Sequence, residues 1–394
     1  MPPPLLSVTD AQTRLFALGT PVAVQTVPLR EASGRWSAAD VLALRTQPTT
    51  DLSAMDGYAL RFDDLPGPLT VIGESAAGRR FGGTLGASQA VRIFTGAAMP
   101  AGADSVLVQE EAVRAGETLR LAGEGPKRGG NVRRKGLDFS AGETLVGAGE
   151  RLTPARIALA AIAGHGTLPV RRRVRVAIMA SGDELVAPGA PLNADALPES
   201  NGVMLAALLA DLPVEVIDLG ILPDRIEAIV DTFAQVDADI LVTTGGASVG
   251  DHDLIRPALQ AAGGNLDFWR IALRPGKPML AGRLRNTVVL GLPGNPVSAF
   301  VTATIFLRPL IAHLAAAATP LPRTRHAILG VALPANDHRQ DYLRATTHDG
   351  RVAPADRQDS SMVRTLARAD CLIVRAPHAP AAAPGDSVEV ILLA

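Results

Sequence analysis

Three glycine-rich stretches each follow an apolar run. They are Ser181-Gly182-Asp183-Glu184, Thr243-Thr244-Gly245-Gly246-Ala247-Ser248-Val249-Gly250-Asp251-His252-Asp253, and Gly291-Leu292-Pro293-Gly294-Asn295-Pro296-Val297-Ser298. Glycine lets a backbone approach a ligand closely, and the unpaired N–H groups at a helix start favour phosphate. One such loop is most simply a turn after a strand. Three in one sheet describe a site. Glu184, Asp224 and Asp253 each follow a predicted strand, so they could share one magnesium ion with ligand phosphates. Magnesium takes oxygen ligands, usually one or two carboxylates with phosphate and water. The competing role for Asp224 and Asp253 is that of a helix N-cap, and Asp183 suits a cap better than Glu184 does.

Between two predicted strands, Leu273-Arg274-Pro275-Gly276-Lys277-Pro278 offers two cations on a segment stiffened by proline, which suits an oxyanion. Lysine is rare here: only Lys127, Lys135 and Lys277 among 38 basic residues. Further upstream, Ser53-Ala54-Met55-Asp56-Gly57-Tyr58-Ala59 and Phe94-Thr95-Gly96-Ala97-Ala98-Met99-Pro100 read by themselves as turns. The run from Lys127 to Asp138 places five cations before its only acid and reads as a solvated loop or an anion-binding edge. No Gly-x-x-x-x-Gly-Lys-Ser/Thr sequence is present, so a P-loop nucleotidase is unsupported.

Elements must hold these residues. Residues 171–322 alternate strand and helix. Strands are predicted at 174–180, 214–219, 240–244, 268–273 and 287–290, with helices capped by Ser200 or Asn201 and running to about Leu212, at Asp224 (Glu227 completing a capping box), at 254–262 and near Val297. That rhythm predicts a mostly parallel sheet covered on both faces, an αβα three-layer domain, with ligand beyond the carboxyl ends of its strands. Residues 46–140 are rich in Gly and Pro with short apolar runs, and read as a β-rich domain inserted into a helical framework made of residues 1–45 and 141–170. Ser7 or Thr9 is expected to cap the first helix, and Thr153 with Pro154 to open another. Residues 323–394 read as a small C-terminal β domain. The chain is therefore expected to be a multi-domain α/β protein.

Composition narrows the partners. A net charge of −1 and 3% aromatic residues supply neither the field nor the stacking surfaces of a nucleic-acid binder. The lone Cys371, in an apolar run, excludes an internal disulfide and reads as a buried strand residue in a reducing compartment. The apolar stretch 297–318 is interrupted by Arg308, Pro309 and His313, so a buried core helix is expected there and no membrane partner. Met1-Pro2-Pro3-Pro4 shows no leader pattern, so a cytoplasmic location is expected.

Taken together, the motifs at 53–59, 94–100, 133–138, 181–185, 245–253, 275–278 and 291–298 resemble those of the molybdopterin molybdenumtransferases, the MoeA family, which includes the E domain of gephyrin. The resemblance spans nearly the whole chain. It implies insertion of molybdate into adenylylated molybdopterin with release of AMP, in molybdenum cofactor biosynthesis. It also implies an elongated homodimer in which Asp56, Thr95 and Asp138 of one subunit approach the αβα domain of the other. Glu184, Asp224 and Asp253 would then hold magnesium and the phosphoanhydride. Gly245, Gly246, Ser248, Gly250, Pro293, Gly294, Asn295 and Pro296 would contact the pterin nucleotide. Arg274 and Lys277 would hold molybdate, with Arg344 and Ser360 assisting. A molybdopterin adenylyltransferase and molybdoenzyme targets are the partners this implies.

Two positions depart from the family pattern. Arg274 stands where lysine is common, and Glu199-Ser200-Asn201 where Asp-Ser/Thr-Asn is usual. The alternatives are molybdopterin adenylyltransferase activity itself, disfavoured by the inserted and terminal domains, and a non-catalytic cofactor carrier or scaffold.

Overall fold

The computed structural model describes residues 5–245, 254–268, 270–276 and 278–393. Of the sequence-derived site residues, Gly246, Ser248, Gly250, Asp253 and Lys277 lie outside the described residues.

The centre of the molecule is a six-stranded sheet. Its order is Val214–Leu222, Val174–Ser181, Ile240–Thr244, Thr287–Leu292, Leu280–Leu284, Asn265–Phe268. The first four strands run parallel, Leu280–Leu284 runs against them, and Asn265–Phe268, antiparallel to it, runs with them again. In a two-residue repeat, successive side chains face opposite layers. Accordingly Val176, Ile178, Ile240, Val242, Val288 and Leu290 enter one core. Their neighbours Ala177, Met179, Leu241 and Val289 enter the other. Runs buried on both faces are what a parallel sheet between helices requires. The strand expected at 268–273 divides instead into Asn265–Phe268 and a two-residue strand, Leu273–Arg274, that leaves the sheet. The Leu280–Leu284 strand was not anticipated.

The Pro296–Leu314 helix is long and apolar enough to span a membrane, yet 83% of its apolar window is buried inside the fold. Its middle, Ala303–Leu307, is wound as a π-helix just before Pro309. Proline removes the N–H that would reach the carbonyl four residues back, and a π segment makes room for its ring. The carbonyl so freed is that of Ile305, and it accepts a hydrogen bond from Gln12 Nε2 at 2.9 Å.

Gln12 belongs to the first helix, Val8–Ala17, capped by Ser7 Oγ, which accepts from the Asp10 amide at 3.0 Å. Val8, Ala11 and Leu15 of this helix join the core of the central domain, not that of the framework to which the sequence reading assigned it. The framework core instead gathers Val27, Val41, Val146, Leu152, Ala160 and Leu168. It rests on two antiparallel ribbons and the helix Pro154–Ile162, so it is more sheet-like than expected.

The inserted domain carries a six-stranded sheet of its own and closes on the framework where Gln47 pairs with Phe139. In the last domain, strands Gln340–His348, Arg351–Pro354, Thr324–Leu329, Ser387–Leu392 and Cys371–Arg375 pair in that order, and the last pairs back to the first. This makes a closed barrel, with Cys371 fully buried as expected. The short strand Leu273–Arg274 pairs in parallel with the first residues of Gln340–His348, so the segment between central strands is stitched to the barrel.

Candidate active site

The central strands end level: Thr244 lies opposite Ala180 on one side and Leu292 on the other. All three glycine loops therefore leave the sheet at the same edge, the carboxyl one. At that edge opens a cleft of about 960 Å³, walled by the loops on one side and by the barrel on the other.

Each loop is shaped by a specific packing demand. Gly245 has a φ of +83°, and a Cβ there would lie 2.3 Å from the Ser181 carbonyl oxygen. Only glycine lets the second loop cross the first so closely. Gly294 passes near Gly245 in turn. The Glu184 carboxylate folds back over Gly182, where a Cβ would lie 2.7 Å from Glu184 Oε2. Asn295 Nδ2 donates to Ser360 Oγ at 3.0 Å, and the Val297 amide to the Ser360 carbonyl. These two bonds join the third loop to the barrel.

Of the predicted residues, Glu184, Gly245, Arg274, Pro293, Gly294, Asn295, Pro296 and Ser360 line this cleft. Asp224 does not. Its carboxylate accepts from Ser181 Oγ, and its amide donates to Asp183 Oδ1 at 3.0 Å. Neither acid caps a helix as the sequence reading had it. The helix begins at Ile226 with Arg225 at the cap, and no helix follows Asp183. Among the described residues no three His, Cys, Asp or Glu side chains converge as a metal cage.

Arg274 faces the cleft but is engaged. Its guanidinium makes two hydrogen bonds to Asp341, whose side chain is 5% exposed, and reaches Asp337 Oδ2 at 3.4 Å. Asp341 and Asp337 together hold the Arg274 pKa above its ordinary value. Arg344 sits behind the wall, 1% exposed, with Nε unpartnered and Nη2 donating to the Arg357 carbonyl at 3.3 Å. Burial lowers its pKa. Its amide and carbonyl are clasped by the Gln358 side chain, which does line the cleft.

Sequence reasoning missed Gln358, Ser361, Arg339, Glu199 and Asn201 as lining residues. For the last two a signal existed, since their turn had been marked as a departure from a pattern.

Asp56, Thr95 and Asp138 are not part of this cleft. Asp56 Oδ1 accepts from both the amide and the hydroxyl of Thr95, each at 2.7 Å. Those two bonds, with nearby Arg92, hold the Asp56 carboxyl below the usual carboxylate range. Arg92 is fixed across Tyr58 and Phe94. Asp138 is exposed, and its amide donates to the Gln47 carbonyl at 3.0 Å.

Comparison with known proteins covers almost the whole chain. Residues 6–164 match the MoeA N-terminal region (domain I and II), 177–313 a probable molybdopterin binding domain, and 326–393 the MoeA C-terminal region (domain IV). A molybdopterin molybdenumtransferase of Haemophilus influenzae is 39% identical over 79% of this chain and 78% of its own length. Molybdopterin molybdenumtransferase 2 of Mycobacterium tuberculosis is 36% identical over 88% of this chain and 90% of its own. The chain belongs to the MoeA family. A solved MoeA structure from Pyrococcus horikoshii, 26% identical, superposes over 99% of this chain and all of its own with a TM-score of 0.85. The multi-domain α/β fold class expected from the sequence is thus the MoeA architecture.

Proposed function

We propose that this chain is a molybdopterin molybdenumtransferase that inserts molybdate into adenylylated molybdopterin and releases AMP, completing a molybdenum cofactor. The observation that carries the reading is one cleft, about 960 Å³ in volume, where a carboxylate, glycine-shaped loops and guanidinium groups from two domains meet. A pterin nucleotide fits that volume. Relatives bearing the transferase name match over 90% and 95% of their length.

In this reading the backbone at Gly245 and Gly294 lies against the nucleotide, where glycine gives close approach. Breaking the phosphoanhydride leaves charge on the AMP phosphate, which cations at the cleft wall offset. Arg339 is the described cation besides Arg274 on that wall, and it is paired with Asp337. Among the described lining residues there is no His or Cys, so none of these forms a Ser-His or Cys-His nucleophile pair. An oxygen of molybdate is therefore proposed to attack the molybdopterin-side phosphorus and displace AMP; the dithiolene sulfurs then bind molybdenum as its bond to that oxygen breaks, the oxygen staying on the molybdopterin phosphate. Glu184 has no cation partner among the described residues and its oxygens suit magnesium. Asp224, tied to Ser181, supports that edge. Magnesium, when bound, would neutralise phosphate charge.

Asp56, Thr95 and Asp138 enter the reading through a second copy of the chain, since their own cleft lacks them. A cytoplasmic homodimer that receives its substrate from an adenylyltransferase and passes product to molybdoenzymes completes the proposal. Adenylyltransferase activity of this chain is not favoured, because the transferase relatives share all its domains. The test is incubation with two substrate sets. AMP should appear from adenylylated molybdopterin with molybdate, and no pyrophosphate from ATP with molybdopterin. Pyrophosphate release, or tight binding with no turnover of either set, would overturn the reading in favour of the adenylyltransferase or a carrier.

A further inference from the structure

The turn that enters the helix Asn201–Leu209 places two acceptors at the cleft wall with no hydrogen-bond donor for them among the described residues. Glu199 lines the cleft and is 8% exposed. Its Oε1 accepts the Gly202 amide at 2.8 Å. Oε2 has no hydrogen bond and the carboxylate no ion pair among the described residues. Beside it Asn201, also 8% exposed, donates from Nδ2 to the Gly294 carbonyl at 2.8 Å, and this bond fixes which way the amide faces. Its Oδ1 is then buried without a partner. A buried amide oxygen without a partner, beside a cleft-lining carboxylate oxygen with no donor among the described residues, is costly unless a ligand supplies donors.

The chemistry of the missing partner follows from the two ends of the proposed substrate; the inference rests on that reading. The pyrimidinone edge of a pterin offers an amino group beside a ring N–H, two parallel donors that match the two oxygens of a carboxylate. Adenine offers its amino donor beside ring-nitrogen acceptors, and one of those would face a carboxylate oxygen. We propose that Glu199, with Asn201 beside it, recognises the pterin's amino–N–H edge. The turn is thereby the specificity element that sets which end of the pterin nucleotide enters this wall of the cleft.

The experiment uses the full chain and two probes, 6-hydroxymethylpterin and AMP, with dissociation constants measured by calorimetry for the wild type and Glu199→Gln. Glutamine keeps the shape but turns one acceptor into a donor. Pterin affinity should fall about tenfold or more, with AMP affinity unchanged within about twofold on the same grounds. Equal affinity for pterin in the two proteins, equal losses for both probes, or no pterin binding by the wild type would each overturn the proposal. If Glu199→Gln melts early, Glu199→Asp serves instead. It keeps the carboxylate and should keep the preference for pterin over AMP, and loss of that preference overturns the proposal. Turnover of adenylylated molybdopterin by the wild type is scored separately, so its absence refutes the proposed function while the probe result stands on its own.

Discussion

Replacing Gly245 by alanine separates two costs that the structure assigns to one residue. The first is conformational: its φ of +83° lies in the left-handed region, which costs a residue with a Cβ about 1–2 kcal/mol. The second is steric. The added carbon would stand 2.3 Å from the Ser181 carbonyl oxygen, roughly 1 Å inside van der Waals contact. The loop from Ser181 to Glu184 must then move by about that distance, and a misplacement of about 1 Å at a reacting centre costs on the order of 10²-fold in rate. Gly263 supplies the control: its φ is +80°, and nothing lies within 4 Å of where its Cβ would be. Both variants should lose about 2–8 °C in Tm. Only Gly245→Ala should lose about 100-fold in kcat/KM for AMP release, with Gly263→Ala near wild type. Similar activity in the two variants would refute the crossing of loops as the device that sets Glu184.

Other consequences are equally direct. Arg274→Lys cannot make both bonds to the buried Asp341. Because the Arg274 side chain is 45% exposed, the loss should be only about 1 kcal/mol, read as a lower unfolding midpoint; an unchanged midpoint would show that the pair does not hold barrel to cleft. Thr95→Ala removes the hydroxyl donor from Asp56 and keeps the amide. The Asp56 pKa is held low in the folded protein, so its charge persists until pH falls through that lowered value. The variant's pKa rises toward normal, and the acid limb of the pH–rate profile should move to higher pH; an unmoved limb would separate Asp56 from turnover. Cys371 is buried and its thiol pKa is raised by burial and Asp370, so a thiol reagent should label the native protein far more slowly than the unfolded one. Rapid native labelling would contradict the closed barrel.

Much of the fold was legible because it rests on local pattern. Strands such as Ile240–Thr244 are apolar on both faces, and their spacing by helices dictates a parallel sheet and therefore the edge where the glycine loops gather. What stayed hidden depends on contacts between distant residues. Gln12 answers a carbonyl freed by Pro309, which no local window shows. Asp224 looked like a cap because its neighbours have capping spacing, yet Ser181 competes for its carboxylate. Arg274 reads as a free cation until the barrel brings Asp341 to it. The identity of the substrate came from the combination of motifs, which spacing and charge alone did not supply.

The most direct test of the account is a single turnover of purified chain with adenylylated molybdopterin, measured with and without molybdate. The account predicts that AMP appears with molybdate, in step with molybdenum bound to the product, and stays at background without it. AMP released at the same rate in both arms, with no molybdenum in the product, would contradict it.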